Sequence, residues 1–308
     1  MKFWKKGLQG MQNHEKIYLS GNQTIRLEGG LRIKGLFHKK SRPGYPFISI
    51  ITVVRNGEKH LEQTIQSVLN QNYENIEYIV IDGASTDRTL DIIRKYEDKI
   101  AYWLSESDRG LFDAMNKGST IASGDYALYL NSGDYLYCSS AITDIVRKGI
   151  DGDKYPLLIV GRVRFSFNNE LLNWFWPISE SKIYKYGIPH QGVLVGKPIY
   201  KKIFYNTTLK VGSDTFFWEQ LQQQGIFQFK YVETVISVFR LGGISNSNKV
   251  KYSDFIREYI IRYKHNPFTL IKKIIYYTCK RILMNILNEE TYYKYILYSI
   301  YLFRKRFL

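Results

Sequence analysis

The sequence predicts an α/β protein: a mostly parallel, doubly wound central sheet with flanking helices, followed by an amphipathic helical tail. Three observations carry this. Apolar, largely β-branched or aromatic runs at Phe47–Val54, Ile76–Ile81 and Tyr126–Leu130 have the near-continuous hydrophobicity of strands buried on both faces. Segments with helical spacing lie between them, so strand, helix and strand alternate as in βαβ units, whose strands run parallel. Each run stops at a polar turn containing glycine, at Arg55-Asn56-Gly57, Asp82-Gly83 and Asn131-Ser132-Gly133-Asp134. Ligands of open α/β sheets bind beyond the carboxyl ends of the strands, so these turns are where chemistry is expected.

A chain of 308 residues, 44% hydrophobic and 23% charged, has a folded protein's composition and the length of one large domain or two smaller ones. Its net charge of +16 calls for an anionic partner: nucleic acid, an anionic membrane surface or a phosphate-bearing substrate. Cys138 and Cys279 form no metal-ligand pattern or disulfide framework, which points to a reducing cytosol. The basic start at Met1–Lys6 leads into no signal-type apolar run. No stretch reaches the roughly 20 apolar residues of a membrane-spanning helix. A cytoplasmic protein with at most peripheral membrane contact is expected.

In order, residues 1–46 are basic and dotted with glycine, and Ser41–Pro46 closes them with turn formers. They read as an extension with a short hairpin at Thr24–Ile33. The main domain is placed at 47–248. After its first strand, Leu61, Ile65, Val68 and Leu69 make one helical face. The second strand ends at Asp82, where a side chain points over the sheet edge toward a ligand. Asp87 reads as the cap of a helix carrying Leu90, Ile93 and Tyr96. A third strand at Ile100–Leu104 precedes a helix from Leu111 that ends near Gly118, and Tyr126–Leu130 then delivers Asp134 into the crevice. No Gly-x-Gly-x-x-Gly and no Walker-type loop follows the first strand, which argues against dinucleotide binding and ATP hydrolysis.

Ile50–Asn56, Ile79–Asp87, Ser105–Gly110 with Asp113–Gly118, and Leu130–Asp134 resemble, in order, the successive blocks of family-2 glycosyltransferases. These are inverting enzymes of the GT-A fold, and the chain is most similar to bacterial members that build surface polysaccharides such as O-antigen or capsule. The resemblance implies that Thr52 and Asn56 line the nucleotide pocket and that Asp82 accepts a hydrogen bond from the base. It implies further that Asp108 and Arg109 lie along a UDP- or GDP-sugar, and that Asp134 holds Mg²⁺ or Mn²⁺ on the diphosphate. Two positions often acidic in the family are Asn131 and Gly133 here, leaving one carboxylate. A hard cation accepts so few protein ligands when phosphate and water supply the rest.

Direct displacement with inversion also needs a base on the far side of the sugar. Asp214, within Leu209–Trp218, matches the family's base, although on its own an aspartate there also suits a helix cap. Gly187–Gly192 resembles an acceptor-side block with His190 and Gln191. His190 can serve as an acceptor contact, a phosphate contact or a packed surface residue. Arg240, opening Arg240–Ser245 after the strand-like Thr234–Phe239, resembles the loop that closes the site and would meet phosphate. Trp174, Phe175 and Trp176 suit core packing better than sugar stacking.

Residues 249–308 form the tail. Ile256, Tyr259, Ile260 and Tyr263 share one helical face, and Ile271, Ile275, Ile282 and Ile286 share another after Pro267, with Lys273 and Lys280 opposite. A basic face against an apolar one is the pattern of an interfacial membrane helix, and Arg304–Arg306 adds attraction for anionic lipid. The expected function is therefore transfer of a hexosyl or N-acetylhexosaminyl group to a lipid-linked oligosaccharide at the inner face of the plasma membrane. The rivals are an inactive glycan-binding relative, a sugar nucleotidyltransferase and a basic nucleic-acid-binding protein. The last is disfavoured because no nucleic-acid module accompanies the charge.

Overall fold

The computed structural model describes residues 16–19, 25–152, 155–177, 179–180, 183, 188–243, 251–287 and 291–293. Met1–Lys6, Thr24, Gly187, Ile244, Ser245 and Arg304–Arg306, singled out above, lie outside them. The first two strands, β1 (Lys16–Leu19) and β2 (Ile25–Gly29), are an antiparallel pair. The parallel heart follows with β3 (Ile48–Val54), α1 (Leu61–Leu69), β4 (Ile76–Asp82), α2 (Thr89–Lys95), β5 (Tyr102–Ser105), α3 (Leu111–Ile121) and β6 (Tyr126–Tyr129). Then come β7 (Tyr135–Leu136), α4 (Ala141–Gly149), β8 (Leu158–Phe167), β9 (Glu170–Trp176), a short 3-10 turn at His190–Gly192 and β10 (Val193–Gly196). The chain continues through α5 (Lys197–Tyr200), α6 (Ser213–Gln223), β11 (Phe229–Arg240), α7 (Tyr252–Tyr263) and α8 (Pro267–Ile286).

One sheet runs β1-β2-β5-β4-β3-β6-β10-β8-β11-β7, with β9 paired to β8. Strands β5, β4, β3 and β6 are parallel, and β10 joins β6 antiparallel. The chain moves from β3 outward to β4 and β5, then returns to the other side of β3 as β6. That reversal opens a crevice beyond the carboxyl ends of β3 and β6. Every residue of β3 is buried, as its unbroken apolar run requires. Alternate side chains feed two cores: Ile51, Val53, Ile79 and Ile81 pack with Met115 of α3, while Ile48, Ile50 and Val80 pack with Leu61 and Ile65 of α1.

The structure corrects several sequence expectations. The amino-terminal segment is joined to the sheet edge, because β2 pairs antiparallel with β5 and its hairpin partner lies earlier, at Lys16–Leu19. Arg32 fixes the segment further by pairing with Glu77, a fully buried strand carboxylate that also accepts from Ser49 Oγ (2.5 Å) and Ser123 Oγ (2.7 Å). Helix α3 does not end at Gly118 but runs to Ile121. A Cβ at Gly118 would stand 2.3 Å from Ile51 Cγ2, so this glycine lets the helix approach β3 closely instead of terminating it.

In the tail, α7 buries Phe255 and Glu258, and the face through Ile256 and Ile260 is left half-buried to exposed. The reason is polar: Arg262 of α7 bridges Glu258 and Glu219 of α6 at 2.5 Å each. Helix α8 starts at a well-formed cap, with Asn266 Oδ1 accepting from the Thr269 N–H at 3.0 Å and Pro267 at the first position. It buries Tyr277 and Met284, while the stripe at Ile271, Ile275, Ile282 and Ile286 is 51–74% exposed. Among the described residues, no helix is long and apolar enough to cross a membrane. Trp174 is a core residue, packed with Leu241, Met284, Tyr292 and Tyr293.

Candidate active site

The turns after β3 and β4 are tied to each other. Asn56, in a left-handed conformation (φ 52°), donates its N–H to Ser85 Oγ (2.7 Å) and accepts the Thr86 N–H on Oδ1 (2.8 Å). Asp87 accepts from the Thr89 N–H (3.0 Å) at the start of α2, although the cap position itself is Arg88, and also from the Glu58 N–H (3.1 Å). Asp82 behaves differently from its expectation. Its carboxylate is fully buried and accepts from Ser85 Oγ (2.5 Å), the Ser85 N–H (3.1 Å) and Ser105 Oγ (2.6 Å). The register of β4 and β5 sets Ser105 directly beside it, so these donors turn the side chain inward to fold the loop.

Thr52 likewise sits inside β3, fully buried, accepting from the Tyr78 hydroxyl (3.1 Å), because the strand continues two residues past it. Asp108 does reach the crevice. A Cβ on Gly83 would stand 2.2 Å from its Oδ2, so the bare glycine makes room for that carboxylate. Arg109 is 77% exposed and pairs with Asp113 at 3.0 Å. Sequence reasoning passed over Arg55, an exposed cation in the turn after β3. Its position immediately after the strand was the available signal.

Beyond β6, the Asn131–Asp134 turn faces Arg240 at the end of β11. The Arg240 N–H donates to Asp134 Oδ1 (3.0 Å), and its guanidinium donates to the Gly133 carbonyl (3.2 Å), Gln63 Oε1 (2.7 Å) and Asn169 Oδ1 (2.7 Å). All these side-chain partners are neutral, so the positive charge is held in place without being cancelled. Asp134 is 5% exposed. Burial lifts its pKa to about 7, against the lowering influence of the Arg240 N–H and of the nearby His190 and Arg240 side chains. Among the described residues no cluster of three His, Cys, Asp or Glu side chains surrounds it.

His190 and Asp214 converge on the same turn. His190 Nε2 lies 2.9 Å from Asn131 Nδ2, and His190 Nδ1 lies 3.7 Å from Asp214 Oδ2. Asp214 stands in the first turn of α6, where its Oδ1 accepts the Thr215 N–H (2.8 Å). Burial works to raise its pKa, but the neighbouring His190, the Thr215 N–H and the charge of Arg262 together bring it below the ordinary value. It is ionised at neutral pH. Gln191 is buried beside His190, its backbone carbonyl accepting from Ser237 Oγ (2.6 Å). Asn131 Oδ1, His190 Nδ1, Gln191 Oε1 and the Tyr205 hydroxyl are buried with no hydrogen-bond partner among the described residues. Unpaired atoms on Asn131 and His190, whose side chains touch, suit a polar ligand bearing hydroxyls.

The crevice thus combines a fixed cation, a buried carboxylate that gains from a nearby positive charge, and an ionised carboxylate on the other wall. A cavity of about 520 Å³ near Arg42, Tyr155 and Lys197 lies at the amino-terminal end of β6 and contains none of these groups.

Comparison with known proteins gives concordant findings. The sequence profile of Glycosyl transferase family 2 matches residues 49–213. An uncharacterized glycosyltransferase of Haemophilus influenzae is 30% identical over 244 residues, covering 75% of this chain and 94% of that protein. Among solved structures, S. aureus TarS 1-349 in complex with UDP-GlcNAc is similar with a TM-score of 0.55 and 18% identity, over 70% of this chain and 65% of that one. The mannosyltransferase PcManGT from Pyrobaculum calidifontis in complex with GDP-Man and Mn²⁺ is similar with a TM-score of 0.50 and 16% identity, over 72% of this chain and 64% of that one. Both likenesses concern the fold, which is that of GT-A glycosyltransferases.

Proposed function

The chain belongs to glycosyl transferase family 2, and on that premise we propose that it moves a hexosyl or N-acetylhexosaminyl group from a UDP- or GDP-sugar, with inversion, onto a lipid-linked oligosaccharide during bacterial surface-polysaccharide synthesis. The observation that supports this most is the pairing of walls in one crevice: Asp134 with Arg240 on one side, and ionised Asp214 on the other. The nucleotide would lie over the turns after β3 and β4, near Asn56, Asp108 and Arg55, with its diphosphate toward Arg240. Asp82 and Thr52 would support those turns from behind, and Arg109 would act at the rim.

In the reaction, the acceptor hydroxyl oxygen attacks the anomeric carbon as the bond to the diphosphate oxygen breaks. Asp214 takes the hydroxyl proton, and Arg240 stabilises the charge that develops on the departing diphosphate. Asp134 is suited to hold Mg²⁺ or Mn²⁺ jointly with diphosphate oxygens and water, since a buried carboxylate with one hydrogen bond retains free lone pairs. Such an ion, when bound, supplies further stabilisation of the leaving group. His190 and Gln191 belong to the acceptor wall.

The exposed apolar stripe of α8 supports a peripheral seat on the membrane. Helical spacing puts Lys272 and Arg281 on its flanks, where they would meet anionic headgroups on the cytoplasmic side.

The test is turnover of UDP-glucose, UDP-N-acetylglucosamine and GDP-mannose with Mn²⁺ or Mg²⁺ and a lipid-linked oligosaccharide fraction, followed by NMR of the product linkage. A glycosylated product of inverted anomeric configuration is expected from one donor. Product of retained configuration would overturn the assignment of Asp214 as base, and binding of glycan without turnover of any donor would favour the inactive relative.

A further inference from the structure

The contact between Asn131 and His190 joins the donor turn to the acceptor wall, and its hydrogen-bond logic constrains the imidazole. Asp214 is ionised and can only accept, so the nitrogen facing it, His190 Nδ1, must carry the proton. In the neutral ring, Nε2 then holds a lone pair and requires a donor. Asn131 Nδ2 stands there at 2.9 Å. The ring is 8% exposed and sits in the 3-10 turn His190–Gly192, which is closed by the Gly192 N–H donating to the Pro189 carbonyl (2.9 Å) and anchored by Ser237 on the Gln191 carbonyl. An imidazole so enclosed has little freedom to turn.

We propose that His190 is a positioning residue for Asp214, held as the Nδ1–H tautomer by the Asn131 amide on Nε2, with Nδ1 turned toward Asp214. The proposal rests on Asp214 being the base. Its consequence is that Asn131 is a functional substitution: at this position a carboxylate would accept instead of donating and would draw a proton onto Nε2. The amide pairs with the Nε2 lone pair and so aims Nδ1–H at the base. The 3.7 Å separation shortens when the acceptor hydroxyl engages Asp214, as catalytic hydrogen bonds commonly tighten in the substrate complex.

Two measurements on the full chain test this. The first needs no substrate: long-range ¹H–¹⁵N spectra of the five histidines, with His190 assigned through His190→Gln. Wild-type His190 should be protonated at Nδ1 with an unprotonated Nε2, and Asn131→Asp should place a proton on Nε2. An Nε2–H tautomer in the wild type, or one indifferent to Asn131→Asp, would overturn the proposal. The second follows nucleoside diphosphate release from whichever of UDP-glucose, UDP-N-acetylglucosamine and GDP-mannose turns over fastest. His190→Ala should lower kcat about 100-fold with donor KM unchanged, the size of loss a misplaced group causes. His190→Gln keeps the volume of the side chain and an N–H for Asp214, and should retain more of the rate.

The double variant with Asp214→Asn should be no slower than Asp214→Asn alone, because a residue that acts only through another loses its effect when that one is gone. Losses that multiply would overturn the positioning role while leaving the base intact. Full activity in Asp214→Asn would remove the base assignment, and the positioning role with it, independently of the tautomer result.

Discussion

Asp134 and Asp214 are carboxylates whose surroundings push them in opposite directions, and under the proposed mechanism that divergence suits one to a cation and the other to a proton. Asp214→Asn should cost at least about 100-fold in kcat, the usual contribution of a general base, with nucleotide affinity unchanged. For Asp134 the sign runs the other way. Its folded pKa of about 7 lies above that of the unfolded chain, so the folded state binds the proton more tightly and loses stability as pH rises from about 4 to about 7. Asp134→Asn should therefore raise the Tm of the nucleotide-free protein at pH 8 by more than at pH 4, read by calorimetry. Both aspartates could be singled out in the sequence because each lies beside a strong element boundary. Asp82 and Thr52 were only half legible. Their proximity to strand ends was evident, but the pairing of Asp82 with Ser105 depends on the register between β4 and β5, and that of Thr52 with Tyr78 on which face of β3 it occupies.

Helix α7 closes the back of α6, and its contacts show how the tail bears on the site. Gly212, in the left-handed region (φ 71°), lies directly before Ser213 and Asp214, and a Cβ there would stand 2.4 Å from the Glu258 carboxylate. Gly212→Ala should combine backbone strain with displacement of α7, lowering stability by about 1–3 kcal/mol and reducing kcat through Asp214. Arg262→Ala should be costlier, about 3–5 kcal/mol by denaturant unfolding, because it leaves Glu258 and Glu219 without their shared cation. Periodicity located α7 but did not reveal its inward face, since an ion-paired helix face carries no hydrophobic signal. The strands were the reverse case: full burial on both faces writes an unbroken apolar run into the sequence, and β3, β4 and β6 lie where those runs predicted.

Across the whole molecule, the charge of +16 gains a location from the fold. Part of it lies on α8, beside a stripe that also includes Phe268 at 80% exposure, a large apolar surface for a protein to leave uncovered. Full-length protein should cosediment with vesicles containing anionic phosphatidylglycerol, and Ile271→Asp with Ile275→Asp should abolish that binding without altering donor turnover in solution. Equal binding to neutral vesicles would remove the electrostatic share of the account. The central claim concerns the donor crevice, and thermal unfolding with UDP, GDP and their sugar conjugates, with and without Mn²⁺, tests it most directly. A ligand bound only by the folded chain raises Tm once its concentration exceeds Kd. The account predicts metal-dependent stabilisation by one nucleotide class, retained in Asp214→Asn and lost in Asp134→Ala; a folded chain that no nucleotide stabilises, or stabilisation that survives Asp134→Ala unchanged, would contradict it.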